Sequence, residues 1–402
     1  MRVKYQKNIP YLLLLLLAAA LLLLKVWRGL IYHTEEQGGI WNIIQVILVG
    51  TGILCLFSKS KSFSALPCIK AYIVFFLYIW FLALFPFLGK TFDIPHVFRF
   101  LVIPYGVMSL LTFYTVGYKA NILQYPWVLG ITFIVLVYWM FTKWRAYNLA
   151  IIDSNGAVAD VYYLVGLLPL ILLYTPQKLK IIPFIMALIV VIMSGKRGAL
   201  VAMFLMIVFY FFFSGTNNKG KSSNMVWRVV VFLLVMVIVS YIVINVVGLY
   251  DLKILYRMEK LEYDGGSGRA SRWGFILNAF CFHSDAFQML FGHGSGAVIK
   301  LVGGHAHNDY FEFLYDYGIF AFGFYVLFYV LLIKEFIMMY RRKYVYSREF
   351  LCSVIVALCM SIFSFYAVDC THITSSSICQ GLILADWYKI RKGYAEQQVE
   401  ED

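Results

Sequence analysis

The sequence predicts an all-α polytopic membrane protein of about 12 transmembrane helices, with one large outer loop of short helices between spans 9 and 10. Three observations carry that reading. The 402 residues are 62% hydrophobic with a mean hydropathy of +0.79, more apolar surface than one water-soluble core can hide. Lipid is the solvent that accepts such a surplus. The apolar residues fall in runs, most of them near the ~20 residues that cross ~30 Å of hydrocarbon. Between the runs, lysine and arginine favour alternate connections, as topology requires.

The runs lie near 10–27, 40–57, 71–89, 98–117, 126–142, 161–175, 181–195, 198–214, 228–249, 311–333, 350–368 and 374–390. Those at 161–175, 181–195 and 374–390 are short for a span. The first, MRVKYQKNIPYLLLLLLAAALLLL, is followed by KVWRG with no small-x-small cleavage pattern, so it reads as a retained helix rather than a signal peptide. With the amino terminus inside, SKSKS at 58–62, KGK at 219–221 and RRK at 341–343 all fall on the cytoplasmic side. An even number of spans then keeps both termini there. The net charge of +13 serves topology in this setting, and nucleic acid is not an expected partner.

The seven cysteines form no CxxC and no Cys/His cluster with zinc spacing. Cys55, Cys352, Cys359 and Cys379 sit within apolar runs and read as small core residues. Cys281 and Cys370 both face outward, where a disulfide between them would be feasible. Residues 1–402 read as a single membrane domain, interrupted by the connection at 250–310, which is far longer than usual. Leu252, Leu255, Met258 and Leu261 recur every three residues there, the pattern of a short amphipathic helix. GGSG at 265–268 breaks it, ASRWGFILNAFCF predicts a second helix, and LFGHGSG at 290–296 is a turn.

Three constellations carry chemistry. SGKRG at 194–198 puts Lys196 and Arg197 at the tip between two short apolar runs. Cations at that depth are costly, and they face either the interface or an anion, which an arginine fork grips through paired hydrogen bonds. GRASRW at 268–273 sets Arg269 and Arg272 at a helix start, the wrong end of the dipole for a cation. Something negative is therefore expected nearby, either Asp264 or a bound anion. GGHAHNDYFEFLYDYG at 303–318 places His305 and His307 ahead of Asp309, Glu312 and Asp316, three carboxylates spaced for one helical stripe. Asp309 and Glu312 also have the spacing of a capping box, and a histidine at this boundary suits acid–base work. Two alternating imidazoles without a third ligand make a weak metal site, so no metal or cofactor is expected. The glycines of FGHGSG are read as a turn before a phosphate cradle. A P-loop, a serine nucleophile elbow, a Rossmann fingerprint and a DxD pair are all missing, and the lack of DxD argues against a nucleotide-sugar donor.

Taken together, residues 180–335 resemble the O-antigen ligase and O-antigen polymerase superfamily. The likeness rests on SGKRG, the Arg-x-x-Arg-Trp helix with its Trp273, LFGHGSG, and His307-Asn308 followed at the family's spacing by Gly318 and Gly323. It implies a GT-C-like membrane glycosyltransferase of the bacterial inner membrane, with its active site at the periplasmic or outer face. It further implies a glycan donor on undecaprenyl diphosphate, with a chain-length regulator and a flippase as further partners. Under the resemblance, Arg197 and Arg272, with Arg269 and Lys196, bind the diphosphate. His307 orients or deprotonates the acceptor, and His305, Asn308, Glu312 and Trp273 complete the site. Lys196 stands where the family often has a small polar residue. An O-antigen or capsular polysaccharide polymerase is the leading expectation, with a ligase to lipid A-core as the alternative. A transporter of lipid-linked sugars is the rival from another class, and it is disfavoured because the polar groups gather at one end rather than at mid-depth.

Overall fold

The structure, a computed structural model, describes residues 9–31, 43–44, 47, 50–51, 54, 66–84, 109–118, 126–149, 161–194, 196–213, 268–364 and 370–401. Among these residues every regular element is helical and there is no strand. The helices are α1 (Ile9–Ile31), α2 (Pro67–Leu84), α3 (109–118), α4 (Pro126–Leu149), α5 (Val161–Tyr174), α6 (Ile181–Ser194), α7 (Arg197–Phe212), α8 (Arg269–His283), α9 (Ala286–Phe291), α10 (Ala297–Val302), α11 (Asp309–Arg341), α12 (Ser347–Phe363) and α13 (Cys370–Glu401). The amphipathic stretch at 252–261, Asp264 and the runs at 40–57 and 228–249 lie wholly or largely outside the described residues.

The interior is organised around α5. Its sequence VYYLVGLLPLILLY is apolar on every side, and each residue from Val161 to Leu173 is buried. A helix without a polar face belongs inside a bundle, and α4, α6, α7, α12 and α13 surround it. The run at 161–175 is short because it is the centre of the bundle. In a bilayer such a helix is held by close packing more than by exclusion from water. Small residues allow the approach: a Cβ at Gly166 would run into the Ser375 side chain of α13. Gly381 lets α13 close on α3 in the same way, its missing Cβ falling 2.7 Å from the Tyr114 nitrogen.

Among the described residues two stretches are long and apolar enough to cross a membrane, Gln177–Ser194 and Asp309–Arg341. The first reaches that length because a turn of 3-10 helix at Gln177–Leu179 precedes α6. The other apolar helices are shorter, so the expected count of twelve is not reached by these two. On α11, Ile319, Phe320, Leu327, Val330, Ile333 and Ile337 are exposed at helical spacing, an apolar stripe suited to lipid rather than to water.

Buried charges away from the loop are compensated. Glu349, at the start of α12, accepts from Lys180 Nζ at 2.6 Å and from the Tyr210 hydroxyl at 3.1 Å. Glu335 accepts from the Trp387 indole at 2.9 Å. Cys352, Cys359 and Cys379 are buried as expected. Cys281 is an exposed free thiol, and the side chain of Cys370, with which a disulfide was considered, lies outside the described residues.

The long helix α11 is two helices in series. Gly318 interrupts it with φ 79° and ψ −178°, a conformation open essentially to glycine alone. The interruption exists because α9 docks there: a Cβ on Gly318 would strike the backbone of Leu290, and one on Gly292 would strike that of Asp316. The turn after α9 is then tied down by its amides. His293 N donates to Tyr315 O and Gly294 N to Asp316 O, both at 2.9 Å. The Asp316 carboxylate accepts from Gly296 N and Val298 N, both at 2.8 Å. FGHGSG is thus a structural turn in which the amides of His293, Gly294 and Gly296 are spent on α11 and that of Gly292 on α9, which argues against the phosphate-cradle reading. Substituting Gly318 with alanine should cost about 1–3 kcal/mol from backbone strain alone, with the steric clash in addition. A lower melting temperature of the purified protein, together with a lower yield of folded protein in membranes, checks this.

Candidate functional site at the end of helix α12

A helix leaves its last carbonyls without intrahelical partners, and those of α12 find theirs in the loop region. Arg269 Nη1 donates to Phe363 O at 2.7 Å, and Asn308 Nδ2 donates to Ile362 O at 3.2 Å. The tip between α6 and α7 meets the same place, because a Cβ on Gly198 would lie 2.8 Å from Phe363 Cβ. All three sequence constellations, SGKRG, GRASRW and HAHND, therefore converge on the carboxyl end of α12. The cation that sits badly at the start of its own helix is answered here by the negative end of another.

The segment Gly304–Asn308 crosses this junction with its backbone held from several sides. Arg272 Nη1 donates to His305 O at 3.3 Å, and the Trp273 indole donates to Ala306 O at 2.8 Å. Ala306 N donates to Glu312 Oε1 at 2.9 Å. His305 Nδ1 lies 3.1 Å from the same carboxylate. His307 adopts a left-handed φ of 53°, uncommon for a residue with a side chain. Asn308 stops the segment by capping α11, its Oδ1 accepting from Phe311 N at 3.2 Å.

His307 is the electrostatic focus. Burial lowers its pKa first, and the positive charges of Arg269 and Lys196, then His305 and Arg272, lower it further, to about 4. The imidazole is therefore neutral near pH 7 and lies in a positive field. Lys196 Nζ is 6.0 Å from the centroid of the Tyr162 ring, which gives the ammonium an aromatic neighbour. Arg272 bonds a neutral carbonyl, and among the described residues it makes no ion pair with a carboxylate. Such a group of cations around a neutral base suits a polyanion.

Several expected site residues hold the backbone or side chains of the segment through their polar atoms. Trp273 spends its indole N–H on Ala306 and packs its ring on Phe311 at 5.5 Å, so it shapes the segment. The expected carboxylate stripe separates into three tasks. Asp316 pins the turn, Glu312 holds His305 and Ala306, and buried Asp309 accepts from the Tyr325 hydroxyl at 3.0 Å. The capping box expected from Asp309 and Glu312 does not form, because Asn308 is the cap. The hydroxyls of Tyr325, Ser361 and Tyr329 extend the Asp309 network beneath the site. Neither this network nor the role of Ile362 and Phe363 was legible in sequence, since Ser361 joins the tyrosines from more than thirty positions away and Ile362 and Phe363 act through backbone atoms alone. Arg197 lies in the first turn of α7, next to Lys196.

Residues 182–326 match the family model of the O-antigen ligase. The chain thus carries a domain of the O-antigen ligase and polymerase superfamily, whose members are membrane proteins. The matched stretch begins in α6 and ends in α11, and it contains every cation and imidazole at the junction. No curated protein matches the chain.

The field at His307 is testable by titration. A histidine-selective NMR titration should give His307 a midpoint near 4. Lys196→Ala or Arg269→Ala should move the midpoint up towards the ordinary ~6.5, since removing a cation lowers the cost of protonation.

Proposed function

From an O-antigen ligase-type domain over residues 182–326, we propose that this chain is a membrane glycosyltransferase. It transfers a glycan from undecaprenyl diphosphate to an acceptor hydroxyl at the periplasmic face of a bacterial inner membrane. The observation that carries this reading is the convergence of Arg269, Arg272 and Lys196 on neutral His307 at the end of α12. Arg197, in the first turn of α7, joins them where helix amides also favour an anion.

The chemistry follows from the donor. Its leaving group is a diphosphate, and arginines grip such groups through paired, charge-assisted hydrogen bonds. When the bond from the sugar to the diphosphate breaks, negative charge grows on the phosphate oxygen. Cations held beforehand stabilise that charge without reorganising, which is the largest common source of rate. In this reading the reaction requires no metal. His307 orients the acceptor, Asn308 fixes the angle at which the histidine segment meets α11, and Trp273 and Glu312 hold the segment's backbone. The chain as a whole acts as one membrane domain of twelve spans with both termini cytoplasmic, its loop covering the site.

Polymerisation of O-antigen or capsular repeats is the leading form of this function. Ligation to lipid A-core is the second, favoured by the match to an O-antigen ligase family and by the His307-Asn308 spacing. The two differ only in acceptor, and one measurement separates them. In cells lacking this gene, single repeats stranded on the carrier lipid mean that polymerisation is lost. Long chains on the carrier with none on lipid A-core mean that ligation is lost.

Arg272→Ala should abolish product at an unchanged protein level, and wild-type turnover in that variant would remove Arg272 from the site. Activity should also survive a chelator of divalent ions. For the pH profile, the acidic limb of kcat/KM, which reports the free enzyme, should lie near the His307 value of about 4. That of kcat should lie higher, because bound diphosphate neutralises the cations that depress His307.

A further inference from the structure

Helix α11 reverses direction at Gly318. The ring of Phe313 lies 4.7 Å from that of Tyr325, and the ring of Tyr310 lies 6.4 Å from that of Tyr329. Residues 310 and 329 would stand about 28 Å apart in a straight helix, so the limb 309–317 folds back along the limb that follows. Gly318 is the apex, and the histidine segment hangs from the free end of the short limb. Residues 318 to 341 make about 34 Å of helix, enough to match ~30 Å of hydrocarbon. With the RRK run at 341–343 on one boundary, the apex falls at the opposite one. Exposed Ile319 and Phe320 begin the lipid-suited stripe of α11 there.

Helix α9 lies across this apex. Its Leu290 and Phe291 backbone occupies the place a Gly318 Cβ would take, and its Phe291 ring is 5.9 Å from that of Phe320. Tyr78 of α2 packs its ring on Phe320 and Phe324 and donates its hydroxyl to Leu290 O at 3.4 Å. A tyrosine with an apolar body and a polar tip settles at such a boundary. The α9 sequence, AFQMLF, carries no charge. Phe287 is 48% exposed and Leu290 40%, and the Phe287 ring is 4.8 Å from that of Phe291. Phe287, Phe291 and Phe320 therefore form one apolar row from the loop helix onto the α11 stripe. The backbone at both ends of α9 is satisfied within the protein. Asp285 Oδ1 accepts from Gln288 N at 2.7 Å, Gln288 Oε1 accepts from Asp285 N at 3.0 Å, and Gly292 N donates to Gln288 O at 2.7 Å. Ends closed in this way tolerate a setting with little water.

We propose that α9 is an in-plane membrane anchor: Phe287 and Leu290 insert among the acyl chains of the outer leaflet, and α9 thereby sets the depth at which the α11 apex is held. The occupant is bulk lipid because the exposed row continues the lipid-facing stripe of α11 without a break. Short helices with phenylalanine and leucine on one face bind membranes in this manner, lying in the interface with that face a few ångströms into the hydrocarbon. The consequence for the site is mechanical. The amides after α9 are bonded to Tyr315 O and Asp316 O at the end of the short limb, so the anchor, the apex and the limb that carries the histidine segment move as one piece. The anchor rests on the membrane topology given above and is independent of the identity of the donor.

The test uses the full chain in phosphatidylglycerol–phosphatidylcholine vesicles that contain no polyprenyl lipid, with the protein highly diluted in lipid. Nitroxide labels are placed on Phe287→Cys and, separately, on Leu290→Cys, each with Cys281→Ser to remove the exposed native thiol. Leu327→Cys, on the exposed stripe of α11, gives the lipid reference. Both α9 labels should collide more with oxygen, which concentrates in lipid, than with a water-soluble nickel chelate, and should report a shallower depth than Leu327. Preferential collision with the nickel chelate at both positions overturns the anchor. Dipolar broadening between labels that survives dilution assigns the face to a second copy and overturns it as well. So does protection from the chelate that develops only when polyprenyl diphosphate is added, which assigns the face to that lipid's tail. A second arm reads the depth of the apex through a label on Ile319→Cys. Phe287→Ser combined with Leu290→Ser should shift that label towards the nickel chelate, and an unchanged depth at Ile319 overturns the depth-setting role.

Discussion

The site depends on two backbone oxygens. Ile362 O and Phe363 O end α12 without helical partners, and the side chains that satisfy them come from two separate elements, Asn308 at the start of α11 and Arg269 at the start of α8. An unsatisfied carbonyl in a setting with little water costs several kcal/mol. The pairing therefore fixes where a long excursion of chain returns to the bundle. Because α12 packs on α5, α7, α11 and α13, its end is a rigid reference point. The cations are anchored to the scaffold that carries them, so a charged cluster need not be held together by its own repelling members.

A second constraint keeps the histidine segment in register. The backbone of residues 305–306 is held by Arg272, Trp273 and Glu312, while Asn308 ends it as a helix cap. Ten residues further on, Gly318 opens α11 so that α9 can lie against it. Asp316, just before that break, spends its carboxylate on the amides at the start of α10. The first part of α11 is thus gripped at both ends. A site gripped in this way can keep a left-handed residue such as His307, whose strain the surroundings offset.

Most of the chemistry was readable along the chain. Lys196, Arg269, Arg272, His305 and His307 are residue types whose charge or titration makes them conspicuous near apolar runs, and the structure brings these five together. The roles of the carboxylates were not readable. Helical spacing puts Asp309, Glu312 and Asp316 on one stripe, but a stripe states only which way side chains point, not what lies opposite. Asp309 found a tyrosine hydroxyl from further along its own helix, Glu312 an imidazole and an amide, and Asp316 the amides of a glycine turn. The run at 161–175, expected as a short span, forms a helix enclosed by other helices, which residue type alone does not reveal. Composition reports that a helix avoids water, and it does not distinguish lipid from other helices as the alternative.

By itself the sequence determined that the chain is helical and rich in lipid-compatible surface, and that cations and imidazoles are concentrated around the long loop. Those properties are set by residue type and local period, which each stretch carries without reference to the rest. The tertiary structure alone decided that three distant motifs meet on the end of α12, that Lys196 and Arg269 act on His307, and that Glu312 stands behind His305. These depend on contacts between residues far apart in the chain, made only when the bundle packs and the unpaired carbonyls of one helix must be answered by side chains from others.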